Sequence, residues 1–423
     1  MKEILIRNLA SLATPRGNGP QQGKAMGQIL ELQHPYVLIR EGKIAAIGGP
    51  ELEENLSPGA MILDGEGKTL LPGFVDAHTH LVFGGTREEE FAMRLRGESY
   101  MAIMEKGGGI RSTVKHTREA SEEELLKTGW ARLQAMAEQG VTTVEAKSGY
   151  GLDRETELKQ LRVAKKLHGL GGPAVVSTFM GAHDIPEEYT GQNEAYLAYL
   201  VEEVLPFVRV EQLAEFADIF TEKKVFSVEE SRVYLTQCQE AGLKLKIHAD
   251  EIHDLGGAQL AAELHCVSAD HLLKANEAGL KAMAKAGVMA VLLPLTAFSL
   301  KEPYAPARKL IDEGLAVALA TDFNPGSSFS HSMPLVIALG CLQMGMTPEE
   351  VLTAVTLNGA AALNRAHLTG SVEVGKAADL ILIDAPSYRF LPYHFGMNQV
   401  VLTMKGGKIL YQKQTREVNH GRI

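Results

Sequence analysis

Short apolar runs alternate with longer amphipathic segments through the middle of the chain. Eight runs have the length and the aliphatic or β-branched content of strands, at residues 73–83, 141–145, 174–180, 217–220, 243–248, 266–271, 289–294 and 316–321. The segments between them space their apolar residues as helices do, at 122–139, 155–167, 194–208, 229–240, 255–264, 277–286 and 305–313. Eight such units predict an α/β fold, a distorted (β/α)8 TIM-like barrel. A doubly wound open sheet is the alternative, but no Gly-x-Gly-x-x-Gly turn follows the first strand.

Both ends of the chain have a different pattern, in which short strands are separated by turn residues. The strand-like runs are at 4–6, 36–39, 44–47, 380–383 and 400–404. Lys405-Gly406-Gly407-Lys408 is typical of a hairpin turn. Because chain termini often lie close together in space, we expect one small β-sandwich domain built from 1–70 and 373–423. The barrel domain is then expected to span 71–372.

Composition narrows the class of protein. The 423 residues are 45% hydrophobic and have a formal net charge of -10, which is typical of a soluble globular protein. The acidic excess disfavours a nucleic-acid partner, since that needs clustered Lys and Arg. Three scattered cysteines predict no disulfide framework. No run reaches the roughly 20 apolar residues that cross a membrane, and the N-terminus lacks the pattern of a secretory signal. We therefore expect a cytoplasmic protein with no membrane partner.

Metal-binding residue types collect where the predicted barrel strands end, which is where barrel enzymes place their active sites. His78 and His80 on the first strand share a face, because side chains two apart on a strand point the same way. His248 ends the fifth strand, and Glu251 follows three residues later. Paired imidazoles suit an ion of the Zn or Fe type, and Glu251 can shuttle a proton there. Taken singly, structural histidines and a helix-capping carboxylate explain these residues as well.

The sixth and eighth strands add His271 and Asp322 at their ends. His271 is a candidate ligand or catalytic imidazole, and Asp322 can bind a metal or accept a proton from water. Taken singly, a buried structural histidine and an Asx turn are the alternatives. Together with His78, His80 and His248, these residues predict a hydrolytic metal site with a position left for water.

Longer motifs around these residues resemble those of the amidohydrolase superfamily. They include LPGFVDAHTH at 71–80 and GKAADL at 375–380. The resemblance covers nearly the whole chain and implies a distorted barrel, a small β-sandwich and metal ligands at these strand ends. Binuclear members use a carboxylated lysine on the fourth strand, whereas the segment ADIFTE at 217–222 contains no lysine. The resemblance therefore implies one divalent or trivalent metal ion per chain, Zn or Fe. Its ligands would be His78, His80, His248 and Asp322.

Within that superfamily the motifs are closer to the imidazolonepropionase family. They are HLVFGGTRE at 80–88, GGGIRST at 107–113, EAKSGYGL at 145–152, STFMGAH at 177–183, KIHADE at 246–251 and ATDFNPGS at 320–327. That family opens the ring of a small molecule, 4-imidazolone-5-propanoate, at its cyclic amide bond. The product is N-formimidoyl-L-glutamate, an intermediate of histidine degradation. The resemblance implies the same substrate and reaction for this chain.

The resemblance also implies roles for individual residues. Asp322 would accept the water proton, His271 would orient the water or stabilise the oxyanion, and Glu251 would bond a ring nitrogen and shuttle a proton. Arg87 offers a planar fork for the propanoate carboxylate. The substrate-binding set is Arg87, Tyr150, His183, Glu251, Asn324, Gly326 and Ser327.

Other interpretations are open at this point. Arg87 can instead pair with Glu88 or Glu89 on a solvated face, Tyr150 can be a packing residue, and the glycines at 107–109 fit either a loop over the site or a tight turn. The main functional alternative is a mononuclear-metal deaminase of a purine or pyrimidine base, which needs no carboxylate-binding arginine. A binuclear hydantoinase-like hydrolase and an inactive barrel used as a scaffold are further alternatives. A homodimer is expected from the family and from the frequency of two-fold assemblies.

Overall fold

The computed structural model of the chain describes residues 3–54, 56–98 and 108–414. Its strands are β1 (Ile4–Arg7), β2 (Ser11–Thr14), β3 (Leu30–Gln33), β4 (Tyr36–Arg40), β5 (Lys43–Gly48), β6 (Met61–Asp64), β7 (Thr69–Pro72), β8 (Phe74–Asp76), β9 (Val141–Lys147), β10 (Ala174–Ala182), β11 (Phe216–Thr221), β12 (Lys244–Ala249), β13 (Ser268–His271), β14 (Met289–Leu292), β15 (Val317–Leu319), β16 (Leu380–Ile383), β17 (Val400–Lys405) and β18 (Lys408–Gln412).

The α-helices of the described residues are Glu88–Leu95, Ile110–Glu119, Glu122–Glu138, Arg154–Gly169, Asn193–Tyr199, Leu205–Val210, Val228–Glu240, Gly257–Glu263, Glu277–Ala286, Pro294–Leu300, Ala307–Asp312, Met333–Leu342, Pro348–Ala354, Leu357–Ala362 and Phe390–Tyr393. Shorter helical turns are Gly23–Gly27, Pro50–Glu53, Glu187–Tyr189 and Leu200–Val204. Gly107 of the predicted glycine loop lies outside the described residues. Gly109 precedes a helix with a φ of 79°, a conformation that glycine adopts without strain.

Eight parallel strands, β8 to β15, form the barrel, and each is hydrogen-bonded to the next in chain order. The ring closes just beyond the regular strands, where Thr79 forms a parallel bridge to Phe323. The His80 amide donates to the Phe323 carbonyl at 2.9 Å, and the Asp322 amide donates to the His78 carbonyl at 3.0 Å. We call these contacts the barrel seam. The predicted (β/α)8 barrel is confirmed.

The first barrel strand is shorter than the predicted run at 73–83, because regular pairing ends at Asp76. Beyond Asp76 the backbone bonds partly to β9, where the Lys147 amide donates to the Thr79 carbonyl at 3.0 Å, and partly to the seam residues. His78 and His80 therefore project from the seam rather than from a regular strand.

The two termini build two further sheets, with strand orders β5-β4-β1-β6 and β18-β17-β16-β7-β2-β3. The second sheet joins both ends of the chain, since β7 near the N-terminus pairs antiparallel with β16 near the C-terminus. Apolar residues of both sheets share one buried cluster that includes Ile6, Ile39, Leu380 and Leu402. The small β-sandwich expected from the two termini is confirmed, while its exact boundaries stay a prediction.

The predicted helix at 194–208 is interrupted by the π-helical turn Leu200–Val204. Pro206 explains the break, because it has no N–H to donate to the carbonyl four residues earlier and its ring clashes with that carbonyl. Two short helices, Asn193–Tyr199 and Leu205–Val210, flank the turn. Within the described ranges, every helix is too short or too polar to traverse a bilayer.

Candidate active site

Polar side chains converge at the carboxyl end of the barrel strands, around a cavity of about 370 Å³. The predicted site residues in its wall are His80, Arg87, Tyr150, His183, His248, Glu251, His271, Asp322, Asn324, Gly326 and Ser327. His78 is fully buried against the His248 ring, with the ring centroids 4.6 Å apart. The wall also contains residues that sequence reasoning did not name, among them Glu90, Arg94 and Phe220. The fold thus brings together every predicted site residue.

Four of these residues, the predicted ligands, lie within a few ångströms of one another. His78 Nε2 is 3.4 Å and His80 Nε2 is 3.8 Å from Asp322 Oδ1. The His248 ring centroid lies 5.8 Å from that of His80. His78, His248 and His271 each place a nitrogen within 4.8 Å of the other two. We call His78, His80, His248, His271 and Asp322 the histidine cluster.

The histidine cluster has the donors and the unpartnered atoms that a metal ion requires. Within the described part of the chain, the buried His78 Nε2 and His248 Nε2 have no hydrogen-bond partner, which is costly unless an ion or water meets them. Burial lowers the pKa of His78 and of His80 well below the usual value. They are therefore neutral imidazoles, the form that binds metals. Three imidazoles with one carboxylate suit Zn or Fe, so the residues fit such an ion.

Two buried carboxylates hold the rings of His78 and His248 from the opposite side. Asp270 Oδ2 lies 2.6 Å from His78 Nδ1, and Asp218 Oδ2 lies 3.0 Å from His248 Nδ1. Burial lowers the pKa of His248, but the Asp218 carboxylate outweighs that effect and the net pKa is raised. Each carboxylate contacts Nδ1 of its histidine and leaves Nε2 available to the cluster. Sequence reasoning missed both aspartates, although a charged residue inside an apolar barrel strand could have indicated them.

Lys147 joins these two carboxylates inside the barrel. Its fully buried Nζ lies 2.7 Å from Asp218 Oδ2, 3.4 Å from Asp270 Oδ2 and 3.0 Å from Glu145 Oε2. Burial opposes its charge, but the three carboxylates outweigh burial and raise its pKa, so it is an ammonium. Lys246 lies 2.9 Å from Glu145 Oε1. Sequence reasoning missed these lysines as well.

Glu251 and His271 face each other beside the cluster, with Glu251 Oε1 3.4 Å from His271 Nδ1. Burial, followed by the charge of Asp322, raises the pKa of Glu251 to about 8. Burial lowers the pKa of His271 well below its usual value. The pair therefore combines a carboxyl group that can carry a proton near neutral pH with a neutral imidazole. Such a pair can donate and accept protons at a substrate.

The turn after β15 places Asp322 and the three residues predicted after it. Asp322 has a φ of 50°, a costly conformation for a non-glycine residue and one that is typical of functional positions. Thr296 Oγ1 donates to Asp322 Oδ2 at 2.5 Å. Asn324 Oδ1 accepts from the amides of Gly326 and Ser327, each at 2.8 Å. The turn is therefore rigid and directs its polar atoms into the cavity wall.

Arg87 is held by Glu90 at another part of the wall, which we call the arginine wall (Arg87, Glu90, Arg94 and the turn at 324–327). Glu90 Oε2 accepts from Arg87 Nε at 2.9 Å and lies 2.8 Å from Nη2. Arg94 Nη2 donates to the Gly326 carbonyl at 3.0 Å. The partner of Arg87 is therefore Glu90 rather than Glu88 or Glu89. The Arg87 side chain is only 15% exposed, so the pair does not lie on a solvated face.

Tyr150 and His183 line the cavity beside His80. The His183 ring stacks on His80, with centroids 4.8 Å apart and planes at 12°, and Tyr150 lies 5.4 Å from His80. Burial lowers the pKa of His183 to about 3, so its ring is neutral, and its Nδ1 lies 3.1 Å from the Gly149 carbonyl. Burial raises the pKa of Tyr150, so it keeps its proton. Both can form hydrogen bonds with a bound molecule.

Comparison with solved structures supports the fold. A triazine hydrolase variant superposes with a TM-score of 0.76 at 18% identity, covering 99% of this chain and 96% of its own. An adenosine deaminase from Xanthomonas campestris, solved with bound zinc, gives a TM-score of 0.72 at 19% identity, with coverage of 99% and 95%. At such low identity these likenesses establish the fold alone.

Sequence comparison is more specific. The model of the Amidohydrolase family matches residues 69–410. Proteins named imidazolonepropionase are 55% identical in Porphyromonas gingivalis, covering 96% of this chain and 97% of the relative, and 53% identical in Clostridium tetani, covering 97% and 98%. A third, from Phocaeicola vulgatus, is 52% identical and covers 97% and 100%. The chain therefore belongs to the amidohydrolase family and, within it, to the imidazolonepropionases.

Proposed function

We propose that this chain hydrolyses 4-imidazolone-5-propanoate to N-formimidoyl-L-glutamate. The observation that carries the proposal is that one cavity contains both a histidine cluster suited to a metal ion and an arginine wall suited to a carboxylate. The substrate has the matching groups, a ring amide for the cluster and a propanoate for Arg87. Relatives more than 50% identical over nearly the whole chain carry the name of this activity.

One Zn or Fe ion is proposed to be held by His78, His80, His248 and Asp322. His78, His80 and Asp322 place donor atoms within 4.8 Å of one another, and His248 joins His78 in a second such group. The Nε2 atoms of His78 and His248 have no hydrogen-bond partner among the described residues and would be available to the ion. When bound, the ion supplies Lewis acidity, which polarises the ring carbonyl and makes water more acidic. Asp270 and Asp218 keep the two imidazoles oriented toward it.

The chain's own residues then move the proton that the reaction requires. Water attacks the ring carbonyl carbon, and the carboxylate of Asp322 accepts its proton. His271, whose ring is neutral, stabilises the developing oxyanion or orients the water. Glu251 gives a proton to the ring nitrogen as the C–N bond breaks, a role that its raised pKa suits. The net change adds one water across one cyclic amide bond.

Other residues that line the cavity are proposed to bind and orient the substrate. Arg87 is proposed to receive the propanoate, with two parallel hydrogen bonds as the favoured geometry. Tyr150 and His183 are proposed to bond the ring or the opened product. Asn324, Gly326 and Ser327 are proposed to bond it through the rigid turn after β15.

Turnover by purified protein of measured metal content tests the proposal. The expected result is loss of the ring absorbance of freshly prepared 4-imidazolone-5-propanoate, appearance of formimidoylglutamate, and about one metal ion per chain. An intact ring in metal-loaded protein would overturn the proposal. Ammonia release from free purine or pyrimidine bases would then favour the deaminase alternative, and two ions per chain would favour the binuclear one.

The oligomeric state and the cellular location of the chain are proposed as well. We propose a homodimer, on family resemblance and on the frequency of two-fold assemblies, and a cytoplasmic location, on composition. Light scattering of the purified protein tests the first, and fractionation of source cells tests the second.

A further inference from the structure

A single buried ammonium lies behind two of the proposed metal ligands. The Nζ atom of Lys147 touches Asp218 at 2.7 Å and Asp270 at 3.4 Å. Asp218 lies 3.0 Å from His248 Nδ1, and Asp270 lies 2.6 Å from His78 Nδ1. Two chains of contact therefore run from one nitrogen to two imidazoles, one at the barrel seam and one on β12.

The carboxylates around Lys147 are restrained from other sides as well. Asp218 Oδ1 accepts from the His248 amide at 3.1 Å and from the Ile219 amide at 2.8 Å. Asp270 Oδ1 accepts from Ser268 Oγ at 2.6 Å. The remaining oxygen of each aspartate is therefore the one shared between Lys147 and a histidine, and the position of Nζ sets where that oxygen lies.

Lys246 provides a natural contrast within the same barrel interior. Its side chain is also fully buried, and its Nζ lies 2.9 Å from Glu145 Oε1 and donates to the Ala77 carbonyl at 3.2 Å. Its ion-pair partner, Glu145, touches Lys147 at 3.0 Å and accepts from Thr178 at 2.5 Å. Lys246 is thus as buried as Lys147, but its side chain contacts Glu145 and the Ala77 carbonyl rather than the aspartates behind the ligands.

We propose that Lys147 is a positioning residue, which holds His78 and His248 in the geometry that a metal ion needs by acting through Asp270 and Asp218. This inference rests on the metal site of the proposed function. Without the ammonium, the carboxylates of Glu145, Asp218 and Asp270 repel one another in a medium of low dielectric constant. They then move apart and take the two imidazoles with them. Outer partners of this kind typically change metal affinity 10- to 100-fold when they are removed.

The test compares Lys147→Met with Lys246→Met as a matched control, each in the full-length chain. Both substitutions remove one buried positive charge. The direct effect of that removal is to favour binding of a cation, so a loss of affinity reports the positions of the ligands instead. Each metal-free protein is titrated with Zn²⁺ against a chromophoric chelator. The expected result is an affinity about 10- to 100-fold lower for Lys147→Met, with unchanged or tighter binding for Lys246→Met.

Cobalt substitution gives a second readout that a general loss of stability would not change. The visible absorption of bound Co²⁺ reports the geometry of its ligands, and the cluster's nitrogen and oxygen donors accept Co²⁺. Lys147→Met should shift the bands or lower their intensity, whereas Lys246→Met should keep the wild-type spectrum. Equal affinities and equal spectra for the two variants would overturn the inference.

A charge-neutral pair of variants covers the case in which Lys147→Met does not fold. Lys147→Met with Glu145→Gln and Lys246→Met with Glu145→Gln each remove one buried lysine together with the carboxylate that both lysines contact, so the two variants differ only in the lysine. The first should lose Zn²⁺ affinity and alter the Co²⁺ spectrum more than the second, and the reverse order would overturn the inference. A wild-type protein that binds no metal would instead overturn the proposed function, which separates the two failures.

Discussion

The histidine cluster and the arginine wall share one cavity but are built in different ways. The proposed ligands of the cluster come from the barrel strands and the seam, and two of its imidazoles contact Asp218 and Asp270. The wall comes from the helix Glu88–Leu95 and from a turn. Its Arg87 already uses two of its donor groups on Glu90. The cluster is therefore complete before a substrate arrives, whereas the wall must share or exchange a bond to receive one.

Because of this difference, substitutions in the two regions should change different kinetic parameters. A change in the cluster removes groups that are proposed to act on the reacting atoms, so it should lower kcat and, for the proposed ligands, the metal content. A change in the arginine wall removes binding that is equal in the ground state and the transition state, so it should raise KM.

Removing a proposed metal ligand should be the most damaging change. His248→Ala is expected to lose bound metal and to lower kcat/KM by at least about 10⁴-fold, roughly 5 kcal/mol of transition-state stabilisation. Metal analysis and steady-state kinetics on the same preparation measure both effects. His394→Ala, at an exposed histidine, should change neither quantity. A His248→Ala protein with full metal content would remove His248 from the ligand set.

Glu251 should separate proton transfer from metal binding. Glu251→Gln keeps the shape of the side chain but has no proton to give up, so kcat should fall about 10²- to 10⁴-fold while metal content stays at the wild-type level. Because the protonated carboxyl is the active form, wild-type kcat should fall on the alkaline side, and this limb should be missing in the variant. Glu263→Gln, at an exposed position, is the control. Loss of metal in Glu251→Gln would move Glu251 into the cluster's ligand set.

Substitution of Arg87 should weaken substrate binding and leave the chemical step nearly unchanged. In a protein that also carries Glu90→Gln, so that no carboxylate is left unpaired, Arg87→Ala should raise KM about 10- to 150-fold, the value of one charged hydrogen-bonded contact of about 1.5–3 kcal/mol. The kcat at saturation and the metal content should change little. Arg96→Ala, on a side chain that is 60% exposed at the end of the same helix, is the matched control. A fall in kcat at unchanged KM would contradict the division between the two regions.

Gly326 should give the smallest effect and the finest test. A Cβ atom built there would lie 2.3 Å from Arg87 Nη1, so Gly326→Ala must displace the end of that flexible side chain. The expected result is a KM increase of about 2- to 10-fold, below about 1.4 kcal/mol, with the melting temperature nearly unchanged. Gly169→Ala, where the added Cβ meets nothing within 4 Å, serves as the control. A decrease in kcat larger than the increase in KM would show that Gly326 supports the histidine cluster rather than the arginine wall.

Much of this arrangement could be predicted from the sequence because polar residues at the ends of apolar strands stand out. His78, His80, His248 and Asp322 were identifiable in that way, and the barrel rule placed them at one end. The barrel and the shared β-sandwich followed from strand length and spacing. The first strand was predicted too long, because apolar content continues to residue 83 while the hydrogen-bond partners change after Asp76.

The parts that were missed depend on contacts between distant strands. Lys147, Asp218 and Asp270 lie inside the barrel, where a charge is stable only if partners from other strands meet it, and those partners cannot be deduced from one strand. The pairing of Arg87 with Glu90 could have been predicted from the sequence, since residues three apart on a helix are neighbours. Spacing of that kind favours Glu90 over the adjacent Glu88 and Glu89, as the structure has it.

The barrel seam also sets the order of events while the chain is being made. His78 and Asp322 meet across the seam, with backbone bonds from Asp322 to the His78 carbonyl and from His80 to the Phe323 carbonyl. Synthesis proceeds from the N-terminus, so a ribosome that has completed even seven of the eight barrel strands still holds a chain without its last proposed ligand. The complete ligand set can form only after residue 322 has emerged from the ribosomal tunnel. Truncated or stalled products therefore cannot carry this site, and binding of the proposed ion belongs to the final stage of maturation.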